Sequence, residues 1–237
     1  MPIQVLDQNT INKIAAGEVI ERPSSVVKEL VENAIDAGAT AITVEIKEGG
    51  ISFIRITDNG CGIKREELPM AFLRHSTSKI QSIEDLMCVA SLGFRGEALS
   101  SIASVSQIEL ITKTAGEMTG SRYVIEGGEE KSLDEVGAPD GTTFIVRNLF
   151  YNTPVRRKFL KTAATEAGYV NALIEHLALS HPDISFRFIS NNQNRLHTSG
   201  NTNLKDIIYS VYGRDITKNL IEVNVSTQDI KITGYIG

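Results

Sequence analysis

Residues 24–39, SSVVKELVENAIDAGA, predict one amphipathic helix around which the rest of the chain can be interpreted. Pro23 is a plausible start for this helix and Gly38 a plausible stop. At about 100° per residue, apolar side chains share one broad arc. They are Val26, Val27, Leu30, Val31, Ala34 and Ile35. This pattern predicts that the helix packs one face on a core and leaves the other face polar.

The polar face of this helix carries Glu29, Asn33 and Asp36. Glu29 and Asn33 are separated by four residues, so they lie one turn apart on the same strip. A carboxylate can accept a proton, and a neutral amide oxygen is an acceptable ligand for a hard cation such as Mg²⁺. The alternative is an ordinary solvated helix face, on which Asp36 is only a polar flank.

Composition limits the classes of protein to which the chain can belong. With 237 residues it is long enough for one large domain or one and a half smaller ones, and its net charge of −5 excludes a surface that is basic throughout. No secretory signal and no apolar run of membrane-spanning length is present, so we expect a cytosolic protein without a membrane partner. Cys61 and Cys88 form neither a disulfide framework nor a metal pair.

Two strand-like segments follow the helix, at residues 40–47 and 51–57, and they predict a hairpin. The second leads into residues 58–62, DNGCG, where Gly60 and Gly62 permit positive φ and close approach of the backbone. A simple Asn-Gly turn is the alternative, but it explains neither the second glycine nor the preceding acid.

Residues 75–79, HSTSK, and 93–99, GFRGEAL, are two further loops of functional interest. The first could line a phosphate site or cap a helix. The second opens a helix rich in small residues, where free N–H groups could bind an anion. No GxxxxGK[ST] and no GxGxxG after a strand is present, so the common P-loop and dinucleotide-binding motifs are excluded.

The remaining chain predicts a sheet of at least five strands with interspersed helices. Before the central helix, residues 7–16 form a short helix that Gly17 breaks, and we expect this arm to be separate and mobile. Later elements are strands at 107–112, 121–126, 141–147, 184–190 and 195–198, and helices at 164–180 and from 204, capped by Asn203. Polar small residues near 199–206 indicate a boundary between a first domain, 1–202, and the beginning of a second, 203–237.

Four stretches in order resemble the nucleotide-binding motifs of the GHKL ATPase superfamily, which includes gyrase and histidine kinases. They are ELVENAIDAGA from Glu29, DNGCG from Asp58, GFRGEAL from Gly93 and GTT from Gly141. Together with HSTSK and with NTPVRRKF at 152–159, they are similar specifically to the N-terminal half of MutL-type DNA mismatch repair proteins. The resemblance covers nearly the whole chain.

The resemblance implies roles for individual residues. Glu29 is expected to be the general base that activates the attacking water, and Asn33 to hold Mg²⁺ beside ATP. Asp58 is expected to accept a hydrogen bond from the adenine amino group, and Thr143 to support the base through water. The other residues expected to contact the nucleotide are Gly60, Gly62, Thr77, Ser78, Lys79, Gly93, Phe94, Arg95, Gly96, Glu97, Ala98 and Leu99.

The implied fold is a two-layer α/β sandwich, with helices on a mixed, mainly antiparallel sheet, followed by a smaller βαβ-type domain. The family also uses a lysine of that second domain, so we expect weak or absent ATPase activity for this chain alone. Expected partners are a second copy of the chain in an ATP-dependent dimer, a MutS-type mismatch-recognition protein and, weakly, DNA. The location would be cytoplasmic, with the nucleoid in bacteria or the nucleus in eukaryotes.

Two other classes stay open on the sequence. A gyrase-like or kinase-like GHKL enzyme would share the nucleotide motifs but not the combination of GFRGEALSSI with NTPVRRKF. A non-enzymatic DNA-binding module would depend on one basic cluster, for which a solvated helix face is the alternative. The cluster consists of Arg156, Arg157, Lys158 and Lys161.

Overall fold

A computed structural model describes residues 4–5, 7–77 and 96–237 of the chain. The helices are α1 (Gln8–Val19), α2 (Pro23–Asp36), α3 (Leu68–Ala71), α4 (Ala98–Val105), α5 (Pro154–Phe159), α6 (Ala163–Ser180), α7 (Leu204–Tyr212) and α8 (Arg214–Thr217). The strands are β1 (Ala41–Lys47), β2 (Phe53–Asp58), β3 (Gln107–Lys113), β4 (Gly120–Glu126), β5 (Glu129–Val136), β6 (Gly141–Arg147), β7 (Ser185–Ser190), β8 (Gln193–His197), β9 (Ile221–Ser226) and β10 (Lys231–Ile236).

Eight strands form one sheet in the order β5-β4-β3-β6-β2-β1-β7-β8. All neighbouring pairs are antiparallel except β1 and β7, which are parallel. The predicted mixed, mainly antiparallel sheet is therefore confirmed, and so is the predicted β1–β2 hairpin. The parallel pair arises because α6 carries the chain back across the sheet before β7 begins.

Side chains alternate between the two faces of this sheet, as strand geometry requires. On β2, Ile54 and Ile56 are fully buried against the helical layer, whereas Arg55 between them is exposed. The opposite face is polar and carries ion pairs, such as the one that joins Glu109 on β3 to Arg122 on β4 at 2.6 Å. The fold is thus a two-layer sandwich with one covered sheet face.

Helix α2 agrees with the sequence prediction. Val26, Val27 and Val31 are fully buried, and Pro23 is the first residue of the helix. The helix ends at Asp36, and Gly38 follows with φ of 73°. Its buried arc packs on β1 and β2, so its polar strip is turned away from the sheet.

Helix α1 differs from the prediction. It continues through Gly17 to Val19, and its Asp7 cap accepts a hydrogen bond from the Thr10 N–H at 3.0 Å. Ala16 and the following Ile20 are fully buried, and the helix packs against α4. The expectation of a separate, mobile arm broken at Gly17 is therefore wrong for residues 7–19, because this segment contributes side chains to the core.

The predicted cap of α7 is confirmed, since Asn203 accepts hydrogen bonds from the N–H groups of Lys205 and Asp206. Ile207 of α7 is buried with the main core, while β9 and β10 form a separate two-stranded sheet. The division into domains 1–202 and 203–237 stays a prediction. Within the described ranges, the structure contains no helix long and apolar enough to cross a membrane.

Candidate functional site

Asp58, the last residue of β2, is the buried acid of the candidate site. Its residue is 8% exposed, and its Oδ1 accepts a hydrogen bond from the Gly60 N–H at 2.8 Å. Burial raises the pKa of this carboxyl above its usual range, although the N–H groups of Gly60 and Thr142 act in the opposite direction. A buried carboxylate with acceptor capacity remaining is suited to binding a donor group of a ligand.

Close approach of the backbone explains both glycines of the DNGCG loop. A β-carbon on Gly60 would lie 2.9 Å from the carbonyl oxygen of Ala37, and one on Gly62 would lie 2.3 Å from that of Lys113. The Cys61 N–H donates to the same Ala37 oxygen at 3.0 Å. The loop is therefore attached to the C-terminal end of α2, one turn beyond Asn33.

Asn59, which carries no predicted role, fixes this loop to the start of β1. Its Oδ1 accepts hydrogen bonds from the N–H groups of Thr40 and Ala41, both at 2.9 Å, and its Nδ2 donates to the Thr40 hydroxyl at 2.9 Å. Asn59 and Gly60 thus have structural roles in this loop, and Asp58 is the residue of the loop that is suited to binding a ligand.

The threonine beside Asp58 is Thr142, and the prediction for Thr143 needs correction. In the β2–β6 register Asp58 pairs with Thr142, and both residues are buried on the helix side of the sheet. Thr143 pairs with Thr57, to whose hydroxyl it donates at 3.1 Å on the other face. Neighbouring strand residues point to opposite faces, so the side chain of Thr143 cannot share a site with Asp58.

Thr142 could have been found from the sequence by counting along the strands. Asp58 follows Ile54 and Ile56 at a spacing of two, and Thr142 precedes Phe144 and Val146 at the same spacing. Both therefore belong to the apolar face of their strand. The pattern identifies Thr142 as the side chain on the buried face, whereas Thr143 belongs to the polar set.

The polar strip of α2 brings Glu29 and Asn33 to the surface beside the core. Both residues are partly buried, and the Glu29 side chain is 24% exposed. Lys28 lies between two acids, with its Nζ 3.7 Å from Glu29 and 2.9 Å from Glu32. Burial acts to lower the pKa of Lys28, but the hydrogen bond and charge of Glu32, with the charge of Glu29, outweigh it and raise this pKa. Glu29 therefore has a permanent positive charge close to its carboxylate.

The two loops predicted to contact phosphate meet where the structure describes them. A β-carbon on Gly96, whose φ is 62°, would lie 2.8 Å from the Ser76 carbonyl oxygen. Glu97 is 3.2 Å from the His75 ring nitrogen and precedes the first turn of α4, which contains Ala98 and Leu99. The predicted residues Ser78, Lys79, Gly93, Phe94 and Arg95 lie outside the described residues, while Thr77 is described and partly buried.

The basic cluster of the NTPVRRKF segment is divided between two roles. Arg157, Lys158 and Lys161 are exposed on and after α5. Arg156 instead turns inward, where its Nη2 donates to the Ile14 carbonyl oxygen of α1 at 3.2 Å. One of the four charges on which a DNA-binding module would depend therefore holds an internal contact.

A mainly antiparallel sheet under one helical layer, with Glu29 and Asn33 on the helix whose C-terminal end contacts the loop after the buried Asp58, is the arrangement of a GHKL-type ATPase domain. The family model described as "Histidine kinase-, DNA gyrase B-, and HSP90-like ATPase" matches residues 20–140. Among solved structures, the Aquifex aeolicus MutL ATPase domain complexed with ADP is 36% identical, with a TM-score of 0.69, and the match covers 87% of this chain and 73% of that one.

The chain belongs to the MutL family of DNA mismatch repair proteins. MutL of Agathobacter rectalis is 69% identical over 99% of this chain and 36% of its own length. MutL of Caldanaerobacter subterraneus subsp. tengcongensis is 49% identical over 98% of this chain and 40% of its own length. The chain therefore spans between a third and two fifths of these curated relatives.

Proposed function

We propose that this chain binds ATP with Mg²⁺ and hydrolyses it slowly, as the switch module of a MutL-type mismatch repair protein. One observation carries the proposal. The loop that follows the buried Asp58 is attached, through the hydrogen bond from the Cys61 N–H to the Ala37 carbonyl oxygen, to the C-terminal end of the helix that carries Glu29 and Asn33. A base-recognition group and a hydrolytic pair are thus connected to one helix.

Asp58 supplies the selectivity for adenine. Adenine carries an amino group at C6, whereas guanine carries a carbonyl oxygen there. A carboxylate accepts hydrogen bonds but donates none, so it attracts the first group and repels the second. Because the carboxylate is buried, an unsatisfied contact at this position costs more than it would in water.

Glu29 and Asn33 divide the work at the phosphate end. Glu29 accepts a proton from the water that attacks the γ-phosphate, a role typically worth about 10²–10⁴ in rate. Asn33 would hold Mg²⁺ through its amide oxygen, and the bound ion supplies neutralisation of phosphate charge. No group of three or more acidic, His or Cys side chains suitable for a metal occurs in the described ranges, so any Mg²⁺ would depend on phosphate oxygens as well.

The lid residues complete the site. In the lid, defined by Gly96, Glu97, Ala98 and Leu99, Gly96 and Glu97 lie against Ser76 and His75, and α4 begins at Ala98. The free backbone N–H groups at the start of α4 can stabilise an anion, since the N-terminal end of a helix carries a partial positive charge. ATP orders the lid, and this ordering promotes self-association of the chain. The ordered state then binds a MutS-type partner and, weakly, DNA in the cytosol.

Calorimetric titration of the chain with a non-hydrolysable ATP analogue, with and without Mg²⁺, tests the proposal. We expect Mg²⁺-dependent binding of the ATP analogue and much weaker binding of the GTP analogue. Asn33→Ala should remove the effect of Mg²⁺. Equal affinity of the unchanged chain for both analogues would overturn the assignment of Asp58.

A further inference from the structure

Three polar residues form a continuous row across the middle of the sheet, on three adjacent strands. In the observed register Asp58 of β2 pairs with Thr142 of β6, and Thr142 pairs with Thr112 of β3. The residues are 8%, 7% and 1% exposed, in that order. Thr112 is therefore the innermost member, and only Asp58 and Thr142 border the proposed base site.

The hydroxyl of Thr112 makes three hydrogen-bond contacts in this buried position. Its oxygen accepts a hydrogen bond from the Ile63 N–H at 2.9 Å, on the loop that follows DNGCG. It also lies 3.0 Å from the carbonyl oxygen of Gly141 and 3.0 Å from the hydroxyl oxygen of Thr142. A single side chain thus connects the loop, the start of β6 and the threonine beside Asp58.

Counting hydrogens assigns the direction of these contacts. A hydroxyl has one proton and two lone pairs, and a carbonyl oxygen can only accept. All three contacts are satisfied when Thr112 donates to Gly141 and accepts from both Ile63 and Thr142. In that arrangement the proton of Thr142 points towards Thr112, and Thr142 presents only lone pairs to the base site.

We propose that Thr112, which cannot itself touch the nucleotide, is a positioning residue that fixes Thr142 as a hydrogen-bond acceptor beside Asp58. The site then presents two acceptors next to each other and selects a 6-amino purine over a 6-oxo purine. This inference rests on the proposed function and deepens it. Without the Thr112 hydroxyl, Thr142 could turn its proton towards the site and donate to a 6-oxo group.

The test compares Thr112→Val with Thr112→Ser by titration with non-hydrolysable analogues of ATP and of inosine triphosphate. Inosine has the 6-oxo group of guanine without its 2-amino group, so the comparison isolates one position. We expect Thr112→Val to reduce the ATP preference about three- to tenfold, the equivalent of one neutral hydrogen bond. Thr112→Ser keeps the hydroxyl and should retain the preference of the unchanged chain.

Thr198→Val is the matched control for lost stability. Thr198 is 3% exposed, and its hydroxyl accepts from the Phe186 N–H at 2.9 Å and donates to the Ile184 carbonyl oxygen at 3.4 Å. Thr198 makes buried hydrogen bonds of the same kind, but it follows β8, which lies at the edge of the sheet, five strands away from β3. Thr198→Val should therefore weaken folding without changing the nucleotide preference.

The outcomes separate the two proposals. A reduced preference in Thr112→Val alone supports the role of Thr112, whereas an equal loss of affinity for both analogues, or no change, overturns it and leaves the proposed function intact. If the unchanged chain binds both analogues equally, or neither, the proposed function fails and this inference fails with it. Where Thr112→Val is not recovered folded, Thr112→Cys replaces it, because a thiol is only a weak donor and acceptor.

Discussion

The guanidinium of Arg156 occupies the space that a side chain on Gly17 would need. A β-carbon built on Gly17 would lie 1.3 Å from Nη2 of Arg156, which is far inside any contact distance. Since the same Nη2 donates to the carbonyl oxygen of Ile14, Arg156 crosses α1 at the one position without a side chain. Gly17 therefore leaves the space that Arg156 uses and does not mark the end of a helix.

This relationship predicts coupling between the two positions in a double-mutant cycle. In an Arg156→Ala background, Gly17→Ala should stabilise the chain by up to about 1 kcal/mol, as for glycine to alanine inside a helix. With Arg156 present the same change should be less favourable by about 0.5–1.5 kcal/mol, because the added methyl displaces the guanidinium from its hydrogen bond to Ile14. Urea unfolding of the four chains measures both values.

Gly168 provides the control for this cycle. It lies in α6, and a β-carbon there would meet nothing within 4 Å. Gly168→Ala should stabilise the chain in both backgrounds. If Gly17→Ala changed stability equally with and without Arg156, the two residues would not be coupled.

The second prediction concerns the adenine group of the proposed site. Asp58→Asn keeps an acceptor for the Gly60 N–H but directs an amide donor towards the Thr142 N–H or the base. Binding of a non-hydrolysable ATP analogue should weaken by about 1–3 kcal/mol, and the preference over the GTP analogue should fall. Calorimetry measures both, with Asp36→Asn at the exposed end of α2 as a control that should bind normally. An unchanged preference would contradict the role of Asp58.

Local pattern was sufficient to predict α2, the hairpin of β1 and β2, and the Asn203 cap, because each depends on residues close in sequence. The course of α1 through Gly17 could not be predicted, since its partner Arg156 is distant in the chain. The strand β5 was missed because it is an edge strand, EEKSLDEV, without a buried apolar face. Thr142, by contrast, could have been chosen over Thr143 from the sequence, because it shares the period-two alternation of Phe144 and Val146.

The third prediction concerns acid stability and the uncovered face of the sheet. Hydrogen bonds from Arg122 and Arg147, at 2.6 Å and 3.0 Å, lower the pKa of Glu109 below its ordinary value of 4.5, against the opposing effect of burial. The stabilisation of the folded chain by these ion pairs is therefore complete above pH 4.5, and it is lost as the pH falls through the lowered pKa that Glu109 has in the folded state. Glu109→Gln should lower the free energy of unfolding by about 0.5–1 kcal/mol at pH 7, a small value because both arginines are partly exposed. The loss should be smaller at pH 3, because protonation of the carboxylate already removes the ion pairs of the unchanged chain.

Urea unfolding between pH 3 and pH 7 measures this dependence. Glu135→Gln, on the exposed strand β5, removes the same charge and should change stability little at any pH. A cost for Glu109→Gln that is the same at pH 3 and pH 7 would show that the ion pairs are not responsible.

The fourth prediction separates binding from hydrolysis on α2. Glu29→Ala should leave affinity for the ATP analogue nearly unchanged and reduce phosphate release by about 10²–10⁴, because a general base acts in the transition state. Asn33→Ala should reduce both the affinity for the ATP analogue and the rate of phosphate release. Calorimetry and phosphate release measure the two effects in this chain and, where its own turnover is too slow, in a full-length MutL. If Glu29→Ala weakened binding as strongly as Asn33→Ala, the division of roles would be wrong.

The last prediction is that ATP orders the lid and promotes self-association. The contact between the His75 and Glu97 side chains, 3.2 Å apart and 75% and 36% exposed, contributes little in water, so this ion pair does little to hold the lid in place. A triphosphate at the start of α4 would supply the missing interactions. Because a ligand shifts an equilibrium only through its differential affinity for the two states, the ATP analogue should act more strongly than ADP.

Hydrogen exchange and sedimentation, each without nucleotide, with ADP and with the ATP analogue, measure this switch. Protection at residues 75–77 and 96–100 should rise with the ATP analogue, while the buried strand β7 should exchange equally in all three states. Sedimentation should show more self-association with the ATP analogue than with ADP or without nucleotide. Equal protection of the lid segments in all three states would exclude the switch, whatever the sedimentation result, because the nucleotide would then have no ordered state to select.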